Sequence, residues 1–203
     1  MLFRSTLTPD GRFVVAVKSG VEGELDLGVW ELATGRLQYA WATGAPRPVR
    51  SLLCLSAEQV VVEHEHTGVF VHELPTGRSL VAWPRASFPK TDLRRRWLAL
   101  AEPVENVLLL DLAQPLTSAS AGRELESAGI PLEFLEENDQ LLTRNASRVL
   151  TWNLRTGDEQ KTVLDVPEVS LVTHSPATLF AADDSLAEWC RWDLSTGARQ
   201  CFE

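Results

Sequence analysis

A short turn signature returns five times along this 203-residue chain in nearly constant phase, and that recurrence restricts the fold more than any other feature. The copies are Val29-Trp-Glu-Leu-Ala-Thr-Gly-Arg36, Val71-His-Glu-Leu-Pro-Thr-Gly-Arg78, Leu109-Leu-Asp-Leu-Ala113, Thr151-Trp-Asn-Leu-Arg-Thr-Gly-Asp158 and Arg191-Trp-Asp-Leu-Ser-Thr-Gly-Ala198. The residue before the leucine is always acidic or an amide (Glu31, Glu73, Asp111, Asn153, Asp193), at intervals of 42, 38, 42 and 40 residues.

A period near 40 accommodates four strands of about 5–7 residues with their turns. Short β-branched or aromatic runs supply those strands, among them Phe13 to Val17, Leu52 to Leu55, Gln59 to Glu63, Val107 to Leu110, Arg148 to Trp152 and Val169 to Val172. Many are apolar at consecutive positions, so both strand faces are expected to be buried between neighbouring sheets. The Thr-Gly pair suits a hairpin turn that ends in a residue with positive φ. The sequence therefore predicts an all-β fold: a β-propeller of five four-stranded antiparallel blades in one domain, 1–203. The blades fall at about 2–44, 49–85, 86–129, 130–166 and 168–203. A closed ring is preferred, with an open arc and a multi-chain ring as alternatives.

These residues resemble WD-repeat propellers. Trp192-Asp193 is the Trp-Asp dipeptide, Trp152-Asn153 and Trp30-Glu31 are near matches, and Thr8-Pro9-Asp10-Gly11-Arg12 is similar to the family's turn between its first two strands. The family's Gly-His dipeptide is absent from all five units, and the place of its network Asp holds Glu24, His66, Ala146 and Leu186 in units one, two, four and five. The resemblance implies a rigid scaffold that presents loops to protein partners. The segments Thr34 to Trp41 and Thr76 to Trp83 also resemble blades of quinoprotein dehydrogenases that carry pyrroloquinoline quinone, which implies a small-ligand or metal-dependent enzyme as an alternative. Neither an export signal nor a calcium-binding carboxylate cluster accompanies them, and blade-packing tryptophans account for the likeness.

The formal charge of −9 opposes general binding to nucleic acid or anionic membranes. It is unevenly spread: residues 1–100 carry 12 Lys+Arg against 10 Asp+Glu, and residues 101–203 carry 7 against 18. The acidic arc suits a basic partner. Arg outnumbers Lys 16 to 3, which points to a GC-rich bacterial genome. No signal peptide or membrane span is read in the chain, so a cytoplasmic protein is expected. Cys54, Cys190 and Cys201 lack metal-ligand and CxxC spacing, and are expected as free buried thiols. Cys190 and Cys201 lie near one another in the last hairpin but are not expected to be directly opposed.

Phosphate loops, zinc patterns and nucleophile elbows are missing, so the expectation is a non-enzyme without cofactor. His64-Glu65-His66, with Glu63 and His72 nearby, is the best metal candidate, yet a polar turn centred on His66 explains it better. The paired acids Asp183-Asp184 and Glu136-Glu137 read as solvated turns.

The third unit is the functional pointer. It replaces Thr-Gly with Ala113-Gln-Pro-Leu-Thr-Ser-Ala-Ser-Ala-Gly122, and its first turn is Lys90-Thr-Asp-Leu-Arg-Arg-Arg96. Both connections emerge at one end of an antiparallel unit, so Arg94, Arg95 and Arg96 are expected beside Gln114 and Leu116 as a partner-binding site for an acidic segment. Thr91 to Leu100 has a helix-like cap and pattern, but the repeat phase predicts a strand from Trp97. The leading function is a protein-interaction module, adaptor or subunit. The structural alternative is a unit completed by another copy or another chain through exposed strand edges.

Overall fold

A computed structural model describes residues 4–19, 25–43, 48–116, 122–135, 139–146, 148–165, 169–175, 178–183, 189–193, 196 and 198–202. Among these residues twenty strands pair in chain order into five antiparallel sheets. The first holds β1 (Ser5–Leu7), β2 (Phe13–Ser19), β3 (Leu25–Glu31) and β4 (Leu37–Ala42). The second holds β5 (Val49–Cys54), β6 (Gln59–His64), β7 (Gly68–Glu73) and β8 (Ser79–Pro84). The third holds β9 (Ser87–Thr91), β10 (Trp97–Ala101), β11 (Val107–Asp111) and β12 (Arg123–Leu125). The fourth holds β13 (Ile130–Leu135), β14 (Gln140–Asn145), β15 (Arg148–Asn153) and β16 (Glu159–Asp165). The fifth holds β17 (Val169–Ser175), β18 (Thr178–Asp183), β19 (Trp189–Asp193) and β20 (Arg199–Phe202).

The repeated letters have a local physical role. The backbone N–H of Gly35, Gly77 and Gly157 donates to the carbonyl of Glu31, Glu73 and Asn153, each at 2.8 Å. Gly77 and Gly157 sit at φ of 70° and 79°, where a side chain is strained. The acidic or amide side chain closes the same turn: Glu31 Oε2 accepts from Thr34 Oγ1, and Asn153 Oδ1 accepts the N–H of Arg155 and Thr156. The leucine that follows locks this turn to the first turn of its own sheet. Leu32, Leu74, Leu112 and Leu154 donate their backbone N–H to the carbonyls of Arg12, Glu58, Arg96 and Asp139 at 2.7–2.9 Å.

The core lies between sheets. Val15, Leu27 and Val29 of the first sheet pack with Val60, Val62 and Leu74 of the second. Val61, Val69 and Val71 of the second meet Leu98, Leu100 and Leu110 of the third. Val107, Leu109 and Leu125 of the third meet Leu141, Leu150 and Trp152 of the fourth. The first strands also meet, β1 on β5, β5 on β9 and β9 on β13.

The structure corrects two expectations. The five-bladed propeller is overturned: the strands form five separate sheets, and none closes or curls into a ring. The physical sign is exposure at the two ends of the series, Leu32 at 50% in the first sheet and Phe202 at 46% in the fifth, where ring closure demands burial. Cys190 and Cys201 are also not free thiols but a disulfide, with Cα atoms 4.0 Å apart. In the first, second and fourth sheets the register slips by one residue beside the Thr-Gly turn. β19 and β20 pair without that slip, so Cys190 stands directly opposite Cys201. β10 begins at Trp97, so the helix-like pattern yields to the sheet there. Among the described residues no helix is long and apolar enough to cross a membrane.

Candidate functional site

The first turn of the third sheet is built around Asp92. Its buried carboxylate Oδ1 accepts the backbone N–H of Arg96 and of Trp97, both at 2.7 Å. Arg95 takes φ of 55° and donates its N–H to the Asp92 carbonyl at 3.1 Å. Thr91 Oγ1 donates to the Trp97 carbonyl at 2.7 Å and ties the ends of the hairpin. With the Asp92 carboxylate engaged by the backbone, the side chains that the turn exposes are Leu93, Arg94 and Arg96.

Leu93 at the tip is 84% exposed, Arg94 and Arg96 are exposed, and Arg95 is half-buried. Arg96 lies over the Trp97 ring, 5.3 Å from its centroid. Among the described residues none of the three arginines forms an ion pair. The Leu112 N–H donates to the Arg96 carbonyl at 2.7 Å and seats the second loop against this turn. There Asp111 Oδ1 accepts the Ala113 N–H at 2.9 Å, Gln114 is exposed, and Leu116 is half-buried against the core shared by the second and third sheets. Arg94, Arg95 and Arg96 are thus brought to the same end as Gln114 and Leu116. The rest of that loop, residues 117–121, lies outside the described residues.

Arg95 also reaches inward. Burial pushes the Cys54 thiol up to about 12, against the pull of a Thr6 hydrogen bond and the positive charge of Arg95. Cys54 is therefore a neutral packing group. In the first sheet the equivalent turn carries Asp10, whose carboxyl is held below the usual range by the Thr8 hydroxyl and the Arg12 N–H.

The metal candidate does not converge. His64 is 2% exposed on β6, whereas His66 projects to solvent from a turn with φ of 59°. Glu63 faces the third sheet instead, accepting from Ser51 Oγ at 2.8 Å and from the Phe88 N–H at 3.2 Å, with Arg50 Nε 3.8 Å away. Among the described residues no group of three His, Cys, Asp or Glu is placed to hold a metal. Asp183 ends β18, while Asp184, Glu136 and Glu137 lie outside the described residues.

His64 and His72 belong instead to an aromatic column between the first two sheets. His64 meets Phe70 edge-on at 5.6 Å, Phe70 meets His72 at 6.2 Å, and His72 meets Trp41 at 5.0 Å. The His72 Nδ1–H donates to the Gly77 carbonyl at 3.1 Å, and burial holds the imidazole below its ordinary pKa. The Trp41 Nε1–H donates to the Leu74 carbonyl at 3.0 Å. Sequence reasoning gave Trp41 and Trp83 a packing role but missed this hydrogen bond across sheets, because nothing local links Trp41 to Leu74. In the third sheet Arg123 takes the equivalent part, its Nη1–H donating to the Leu154 carbonyl at 3.1 Å.

No protein-family model matches the chain, and no match to a curated protein is found. Among solved structures 1125 chains match, so the fold is widely shared and selects no single function. One is the computationally designed Ika8 protein, in a crystal packing in P63, with a TM-score of 0.71 and 16% identity. The likeness covers 98% of this chain and 61% of that one, and at this identity it shows the fold alone.

Proposed function

We propose that the chain is a non-catalytic protein-interaction module that presents the Leu93–Arg96 turn, with Gln114 and Leu116 beside it, to an acidic segment of a partner protein. The observation that carries this reading is an 84%-exposed leucine next to arginines that make no ion pair among the described residues, on a turn fixed by the buried Asp92. Guanidinium groups bind carboxylates in bidentate fashion, and a pre-ordered turn loses little entropy on binding. The acidic second half of the chain offers a separate surface for a basic partner. On sequence grounds the module works in a bacterial cytoplasm. The oxidation state of Cys190 and Cys201 in protein drawn from the host checks that placement, because such bridges persist in oxidising compartments.

The test compares capture from host lysate by the wild type and by a variant carrying Arg94→Ala, Arg95→Ala and Arg96→Ala, with polyglutamate peptide as competitor. The expected result is an acidic protein held by the wild type, released by polyglutamate and lost by the variant at unchanged melting temperature. Equal capture by both proteins overturns the reading.

A further inference from the structure

The two ends of the sheet series present the two halves of an interface that the chain already forms internally. At each junction between the first four sheets, a cross-strand apolar pair on one sheet covers the turn leucine and the residue two before it on the next. The covering pairs are Leu27 with Trp41, Val69 with Trp83, and Val107 with Leu125. Leu27, Val69, Val107 and Leu125 are each no more than 1% exposed. On the receiving side Leu74 is 1% exposed and His72 4%, and in the fourth sheet Leu154 and Trp152 are both at 5%.

The register carries this pattern to both ends. Trp189 pairs with Phe202 in the fifth sheet, the place of Leu27 with Trp41, but these residues are 37% and 46% exposed. Leu32 and Trp30 in the first sheet hold the places of Leu74 and His72, but Leu32 is 50% exposed and Trp30 half-buried. Val14 and Ala16, which correspond to the fully buried Val60 and Val62, are also only half-buried. The covering half and the receiving half are therefore both unused, and they lie on one chain.

We infer that copies of this chain associate head to tail, the Trp189–Phe202 face of one seating on the Trp30–Leu32 face of the next. The junctions already formed between sheets supply the geometry. The occupant is a second copy, because the face that fits each exposed half is the other end of the same protein. Arg191, exposed between Trp189 and Asp193 at the position that Val29 and Val71 occupy in their sheets, adds a cation to the Trp189–Phe202 face, suited to the aromatic Trp30 on the receiving face. Such a contact is heterologous, so each added copy leaves one end of each kind open. The Leu93–Arg96 turn lies at the turn end of the third sheet and takes no part, so this inference stands apart from the proposed function.

The test is the solution mass of the full chain by sedimentation and light scattering across a wide concentration range, for the wild type, Leu32→Asp, Phe202→Asp and an equimolar mixture of the two variants. Wild-type mass is expected to rise with concentration. Each variant alone lacks one half of the contact, associates at least about tenfold more weakly and stays monomeric. The mixture retains one intact half from each partner, and so forms a one-to-one dimer and nothing larger. Circular dichroism and melting check that both variants fold, and Trp189→Ser replaces Phe202→Asp if that variant does not. A wild type that stays monomeric throughout overturns the inference without any variant. So does a mixture that behaves as its separate components, or a folded variant that associates as the wild type does.

Discussion

Trp41 of the first sheet lies against His72 of the second with ring centroids 5.0 Å apart, and its indole N–H donates across the junction to the carbonyl of Leu74. Gly77 sits beneath the same indole, where a methyl group would come within 2.9 Å of the Trp41 Cβ and nearer still to the ring. Trp41→Phe is expected to cost about 1 kcal/mol, the usual worth of the lost hydrogen bond, and Trp41→Ala about 2–4 kcal/mol because the ring is only partly buried. Gly77→Ala is expected to destabilise the wild type more than it destabilises Trp41→Ala, since only the positive-φ strain remains once the indole is gone. Denaturant midpoints of the four proteins measure that coupling.

His72 makes stability depend on pH. The groups around it are Trp41, Phe70, the Gly77 carbonyl and, further off, His64. Burial, aided by His64, lowers its pKa from the ordinary 6.5, so the unfolded chain takes up this proton more readily than the folded one. Stability contributed by neutral His72 is complete above pH 6.5 and falls as pH drops below it, by at most about 1.4 kcal/mol per pH unit. Melting temperatures between pH 7 and 5 are expected to fall less steeply for His72→Phe than for the wild type. Glu102, whose carboxyl is raised by burial and by Glu124, has the opposite sign and is common to both proteins, so the difference isolates His72.

Glu63 is a buried carboxylate that joins the second and third sheets through Ser51, the Phe88 N–H and Arg50. Glu63→Ala leaves the Phe88 donor and the Ser51 hydroxyl without their acceptor, and is expected to cost about 2–4 kcal/mol. Glu63→Gln, which keeps an acceptor of the same shape, is expected to cost less. Chemical denaturation ranks the two.

The cysteines divide by reactivity. The buried Cys54 thiol, pushed up to about 12, is expected to resist alkylation in the folded protein and to react fully in denaturant. Cys190 and Cys201 are expected to resist alkylation in both states until a reductant is added. Mass spectrometry of alkylated samples reads all three sites.

Much of the strand pattern was legible because its causes are local. The run from Gln59 to Glu63 is β-branched and bounded by turn residues, and it forms β6. The alternation of Glu31, Thr34 and Gly35 specifies a turn whose hydrogen bonds span four residues. The arginine turn was legible in the same way, since the repeat phase alone places Arg94, Arg95 and Arg96 at the same end of the third unit as Gln114 and Leu116. Missing from that reading were the Asp92 bonds to Arg96 and Trp97, which depend on burying the carboxylate. His64 and His66 illustrate the opposite case: their spacing invites a metal, but one enters the junction between sheets and the other stays in water.

By itself the sequence determined that this protein is all-β, where its turns fall, and which residues close them, because each of those outcomes is set by hydrogen bonds and side-chain alternation within a few positions. Only the tertiary structure decided that the sheets do not close on one another, that Cys190 faces Cys201, and that the Leu32 and Phe202 ends stay open. The cysteine pairing depends on the register of its hairpin, which the turn letters do not reveal, and the open ends depend on packing between sheets, which sums over side chains some 40 residues apart.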